Sequence, residues 1–186
     1  MLEVELEETR VLELMATGVP IRAHMAGLDA AAADLLVENF IEHYRREREG
    51  LARPFPGISR LLRDLRRRDV PVAVVTSKLR EDTLAELAAT GLDAHVQLVI
   101  AFEDTDEHKP GPAPQLEALR RLGASSGVGV GDLPNDVLSA RAAGIGALAV
   151  SWGYGDRDAL RRAGAECVCD TVEELAQALE RRVVEH

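Results

Sequence analysis

Val70-Pro71-Val72-Ala73-Val74-Val75-Thr76-Ser77-Lys78 opens the part of the chain that decides the fold. A short apolar run rich in β-branched valine reads as a strand. It ends in two hydroxyls and a cation, and a helical pattern follows at about 80–90. The same alternation then recurs. Val96–Ala101, Gly127–Val130, Ala147–Val150 and Glu166–Cys169 are further strand candidates. Helices are expected at about 113–122, 135–143, 157–163 and 171–183. The apolar runs show little alternation with polar residues, as strands buried on both faces should. Strand–helix–strand repetition implies an α/β fold, a parallel sheet with helices on both sides.

Upstream the pattern differs. Residues 3–17 and 28–49 read as helices, the second carrying Leu35, Leu36, Phe40, Ile41 and Tyr44 at helical spacing. The turn signal Arg53-Pro54-Phe55-Pro56-Gly57 follows, and Ser59 to Arg68 reads as an amphipathic helix. A boundary at this turn divides the chain into a helical unit, 1–52, and an α/β unit, 53–186.

With 22 basic and 32 acidic residues the formal net charge is −10, which disfavours nucleic acid or an anionic membrane as the main partner. Charged residues interrupt every apolar run well short of a bilayer span. The acidic start MLEVELEETR lacks the layout of a signal peptide. Cys167 and Cys169 are too few for a disulfide framework and read as small buried residues, which fits a reducing cytoplasm. Lys78 and Lys109 are the two lysines among 22 basic residues, and both fall just beyond a strand. An ammonium is a compact point charge where arginine is a broad fork.

Ligands of such sheets bind at the carboxyl ends of the strands. After the first run, Thr76 and Ser77 either cap the next helix or, with its free N–H groups, hold an anion such as phosphate. After the second, the acidic loop Phe102 to His108 reads as a solvated charge run. Lys109 follows it, stiffened by Pro110-Gly111-Pro112, and is well placed as an electrostatic clamp. After the third comes Gly131-Asp132-Leu133-Pro134-Asn135-Asp136. Its two carboxylates suit Mg²⁺, which takes one or two such groups with water and substrate phosphate. They equally suit the start of a helix, by capping and by favouring its dipole.

The ordered set Val74-Val75-Thr76-Ser77-Lys78, Lys109-Pro110 and Gly131-Asp132-x-x-x-Asp136 resembles the second, third and fourth motifs of the haloacid dehalogenase superfamily. Ala143-Gly144-Ile145 and Trp152-Gly153-Tyr154-Gly155 resemble its phosphoglycolate-phosphatase-like branch. The resemblance covers about residues 53–186, and implies a Rossmann-like three-layer core. Residues 1–52 resemble part of that branch's helical cap. It further implies a Mg²⁺-dependent phosphatase acting on a small phosphorylated metabolite. Thr76 and Ser77 would bind phosphate, and Thr76 and Lys109 would serve catalysis. Asp132 would ligate Mg²⁺, and Asp136 would share that site or orient Lys109. A homo-oligomer is compatible with this reading.

The superfamily's first motif, Asp-x-Asp-Gly-Thr, is absent from these 186 residues. Asp104-Thr105-Asp106 follows a different strand and lacks the Gly-Thr. By the resemblance, the first motif supplies the nucleophile, and its strand lies mid-sheet between those ending at Thr76 and near Asp132. A hole there would expose unpaired backbone groups. Leu2, Val4 and Leu6 alternate with glutamates that suit a sheet edge better than its centre. Two expectations stand side by side. One is a hydrolase that has lost its first motif by truncation or a misplaced start. The other is a catalytically dead relative keeping a phosphate or metal pocket. A receiver-like signalling domain would need an early acidic pair and phosphoacceptor, and neither is seen.

Overall fold

The computed structural model describes residues 52–184 and the isolated positions Leu35, Asn39, Glu42, Arg45 and Arg46. The helix expected at 3–17 lies outside the described residues. So does most of the one at 28–49, whose five described positions are helical.

Six helices and five strands alternate through the described residues: α1 Ile58–Arg67, β1 Ala73–Val75, α2 Arg80–Thr90, β2 Leu98–Ile100, α3 Ala113–Leu122, β3 Val128–Gly131, α4 Pro134–Ala142, β4 Gly146–Val150, α5 Arg157–Arg162, β5 Cys167–Cys169 and α6 Val172–Val184. Helix ends follow local chemistry. Gly91 and Gly123 close α2 and α3 in the left-handed region, at φ 68° and 64°, where a Cβ is penalised. Asp156 caps α5 by accepting the Ala159 N–H at 2.8 Å.

All strand pairings are parallel, as the buried apolar runs require. Among the described residues the strands form two groups: β1 pairs with β2 and, separately, β3-β4-β5 pair in that order. The layers are clearest at β4. Ala147 and Ala149 face Val137 and Ala140 of α4 and Leu160 of α5. Leu148 and Val150 face the other way, onto Leu175 and Ala178 of α6, with Leu61 of α1 beside them. Burying each of these larger side chains contributes about 1.5–3 kcal/mol. Small residues serve the α4 side because α4 packs close; a Cβ on Gly129 would stand 2.7 Å from that of Ala140.

Candidate phosphate and metal site

The carboxyl ends of β1 and β3 converge on Lys109. Its Nζ donates to Asp136 Oδ1 at 2.6 Å and to the Val75 carbonyl at 3.3 Å. Both charged side chains are largely shielded, at 13% and 15% exposed, so the pair is screened less than a surface one. The loop carrying Lys109 is fixed from below. Ser139, fully buried on α4, donates its hydroxyl to Gly111 O at 2.7 Å. The rings of Phe102 and His108 stack with centroids 4.0 Å apart.

Thr76 follows Val75, half-buried, and its Oγ1 accepts the Lys78 N–H at 3.1 Å. That use of a lone pair leaves the hydroxyl proton available to an outside acceptor. Ser77 is exposed. Backbone donors around the start of α2 are partly committed: Thr76 N–H goes to Ile100 O, and Arg80 N–H goes to the Glu103 carboxylate at 3.1 Å. Any anion here would therefore rely more on side chains than on that helix end. Lys78, the other lysine, pairs with Glu86 of α2 at 2.6 Å.

Asp132 ends β3. Its Oδ2 accepts the Tyr154 N–H at 2.8 Å, so the loop after β4 sets its direction. Gly153 and Gly155 make this possible, because a Cβ on either would run into Asp132. Asp136 is engaged through both oxygens, one to Lys109 and the other to the Leu133 N–H at 3.1 Å, where it helps to start α4. Among the described residues no group of three or more His, Cys, Asp or Glu is placed to hold a metal. Asp132 and Asp136 could thus hold Mg²⁺ only with water and substrate phosphate completing its shell, an arrangement that ion commonly accepts.

The acidic loop has structural partners. Burial opposes ionisation of Asp104, but the Ala101 N–H, Arg121 and Arg80 outweigh it and hold the carboxyl below its ordinary range. Ser139, Gly153, Gly155 and the Tyr154 N–H escaped sequence reading as parts of the site. Gly-Tyr-Gly after a strand carried a signal, but its contact with Asp132 is tertiary.

The sequence profile of the haloacid dehalogenase-like hydrolases matches residues 4–150. The chain belongs to this family. A phosphoglycolate phosphatase of Mesorhizobium japonicum is 34% identical over 141 residues, 73% of this chain and 62% of that one. Pyrophosphatase PpaX of Oceanobacillus iheyensis is 26% identical over 164 residues, 87% of this chain and 77% of that one. A haloacid dehalogenase-like family hydrolase from Streptococcus pneumoniae superposes with a TM-score of 0.81 at 20% identity, over 95% of this chain and 83% of that one, and shows the fold. The chain spans 62% and 63% of the length of two phosphoglycolate phosphatases it matches by sequence. In this haloacid dehalogenase-like hydrolase, Thr76 and Asp132 directly follow β1 and β3, Lys109 lies in the loop between β2 and α3, and Asp136 sits in the first turn of α4.

Proposed function

We propose that this chain carries the phosphate-clamping and Mg²⁺-binding half of a phosphomonoester hydrolase site for small phosphorylated metabolites in the cytoplasm. The observation that carries this reading is the convergence of Lys109, Val75 and Asp136 at adjoining strand ends. A dianionic phosphoryl group would meet the Lys109 ammonium and the free proton of the Thr76 hydroxyl, with exposed Ser77 beside it. Asp136 aims the Lys109 ammonium through their 2.6 Å ion pair. Asp132 would ligate Mg²⁺ directly, and Asp136 would act on the ion's waters while keeping Lys109. The ion's contribution is to neutralise charge on the phosphoryl oxygens.

None of these residues is a ready nucleophile. Thr76 has no base partner in the described contacts, and the leading aspartate motif is absent from the sequence. The chain alone should therefore bind phosphate with Mg²⁺ yet hydrolyse p-nitrophenyl phosphate negligibly. The helical unit 1–52 would choose the substrate; relatives named for phosphoglycolate and pyrophosphate point to small anions. Calorimetry with inorganic phosphate and Mg²⁺ tests the reading. Heat of binding lost in Lys109→Met and in Thr76→Val supports it; unchanged binding in both refutes it. Robust turnover abolished by Asp132→Asn would show that a nucleophile had been misassigned.

A further inference from the structure

Ser139 lies in the interior of α4, where a serine hydroxyl commonly turns to water or back to the carbonyl one turn earlier. Here it turns to another part of the fold. The residue is fully buried, and its hydroxyl donates to the Gly111 carbonyl at 2.7 Å, across 28 positions of sequence. Alanine forms helix more readily and brings no polar group to satisfy, and the next position of α4, Ala140, is a buried alanine. The hydroxyl is accounted for by the bond it makes.

Gly111 is the point of the loop that most needs holding. In Lys109-Pro110-Gly111-Pro112 the prolines on either side each fix their own φ, whereas glycine has the widest backbone freedom. The segment would therefore hinge at Gly111. Its N–H donates to His108 O at 2.8 Å, which closes the local turn but ties it to nothing beyond the loop. A side chain cannot anchor this position, because a Cβ on Gly111 would run into Glu107. The bond from Ser139 fastens the hinge to α4.

The same helix takes the far end of Lys109. Asp136 and Ser139 stand three residues apart, so they share one face of α4, about 4.5 Å apart along its axis. Asp136 holds the ammonium at 2.6 Å, and Ser139 holds the backbone two residues beyond Lys109. A lysine stem is flexible, so an ion pair at its tip leaves the rest free to bend. Fixing the backbone to the same rigid helix removes that freedom. We propose that Ser139 is a positioning residue of the site, pinning the Gly111 hinge to α4 so that the Lys109 ammonium stays where a phosphoryl group meets it. This inference rests on the phosphatase reading for its ligand, but the placement of Lys109 can be followed without any ligand.

The test uses the full chain with Ser139→Ala, Ser139→Cys and Ser139→Thr. The cysteine variant keeps the volume and loses the strong donor, and the threonine variant keeps the hydroxyl. The first readout is a lysine-selective ¹H–¹⁵N spectrum of the ammonium groups. Lys78 and Lys109 are the two lysines of these 186 residues, and Lys78→Arg assigns the signals. In wild type the Lys109 signal should be distinct and slow to exchange with water; in Ser139→Ala and Ser139→Cys it should move and exchange faster. The second readout is calorimetry with inorganic phosphate and Mg²⁺. Affinity should fall about tenfold in those two variants, the scale of one hydrogen bond, and recover in Ser139→Thr. Should Ser139→Thr not fold, the alanine and cysteine variants still decide. A lower Tm with an unchanged Lys109 signal would make Ser139 merely structural and overturn the proposal. So would a moved signal with unchanged affinity, where wild type binds phosphate through Lys109. If wild type binds no phosphate, or Lys109→Met binds it equally, the phosphatase reading fails instead, and the ammonium signal alone decides whether Ser139 positions Lys109.

Discussion

Lys109 Nζ lies 2.6 Å from Asp136 Oδ1 and 3.3 Å from the Val75 carbonyl oxygen, so one ammonium ties the end of β1 to the first turn of α4. Among the described residues no ladder joins β1 to β3, and this tie links the two strand groups at their carboxyl ends. Lys109→Met should cost about 2 kcal/mol, the scale of a charge-assisted hydrogen bond, measured by urea unfolding. Asp136→Asn should cost less, because an amide oxygen can still accept from Lys109. Equal stability of wild type and Lys109→Met would mean that the tie contributes nothing.

Asp132 is aimed by a loop with no room for side chains at Gly153 and Gly155. Gly153→Ala should push on its carboxylate and leave the core largely intact. The expected result is a weaker Mg²⁺-induced rise in Tm with little change in the metal-free Tm. Gly155→Ala meets the Asp132 backbone instead, and should destabilise by about 1–3 kcal/mol as overpacking does.

Arg45 reaches α2 from the upstream helix, with Nε 2.9 Å from Asp82 Oδ1 and Nη2 2.9 Å from Glu81 Oε2. Asp82 is 4% exposed, but the Arg45 side chain is partly open to solvent, so the pair is weakened by solvent screening. Arg45→Ala should speed amide exchange in the first turn of α2 and lose its effect at high salt. Unchanged exchange there would show that the contact does not anchor the upstream helix.

Asp104 has a depressed folded-state pKa, so its stabilisation is present above its ordinary value of 3.8 and is lost as pH falls below it. Asp104→Asn should lower Tm at neutral pH and converge on wild type in acid. Parallel Tm curves down to strongly acidic pH would contradict the network around this carboxyl.

Cys169 is fully buried, and burial, then the neighbouring Cys167, pushes its thiol up to about 12. It should resist a thiol-reactive disulfide reagent until the protein unfolds, with Cys167 reacting first. The raised pKa favours the folded state below the ordinary value of 9.0, and that contribution is lost as pH rises towards 12. Rapid native-state modification of both thiols would refute the burial.

Much of this was legible in the residues. The runs expected at Val70–Thr76 and Val96–Ala101 form strands over Ala73–Val75 and Leu98–Ile100, shorter because only their middles pair. Helices expected at 80–90 and 113–122 match Arg80–Thr90 and Ala113–Leu122. Lys109 and Asp136 were visible as charges expected at strand ends, though their separation of 27 positions hid their contact. The acidic loop read as solvated instead joins α2 and α3, because Arg80 and Arg121 close on Asp104 from separate helices.

The sequence by itself determined element order, parallel pairing and the charged groups at strand ends, since periodicity and turn chemistry are local properties of the chain. Tertiary structure decided which of those groups meet. Asp136 turns one oxygen to Lys109, Asp132 is aimed by a glycine loop, and Ser139 holds Gly111, all through contacts between distant residues. It also decided the strand order among the described residues, β1 beside β2 and β3-β4-β5 together. Each strand's apolar run records that it is buried, but the partner on either edge is chosen by backbone geometry across the whole fold.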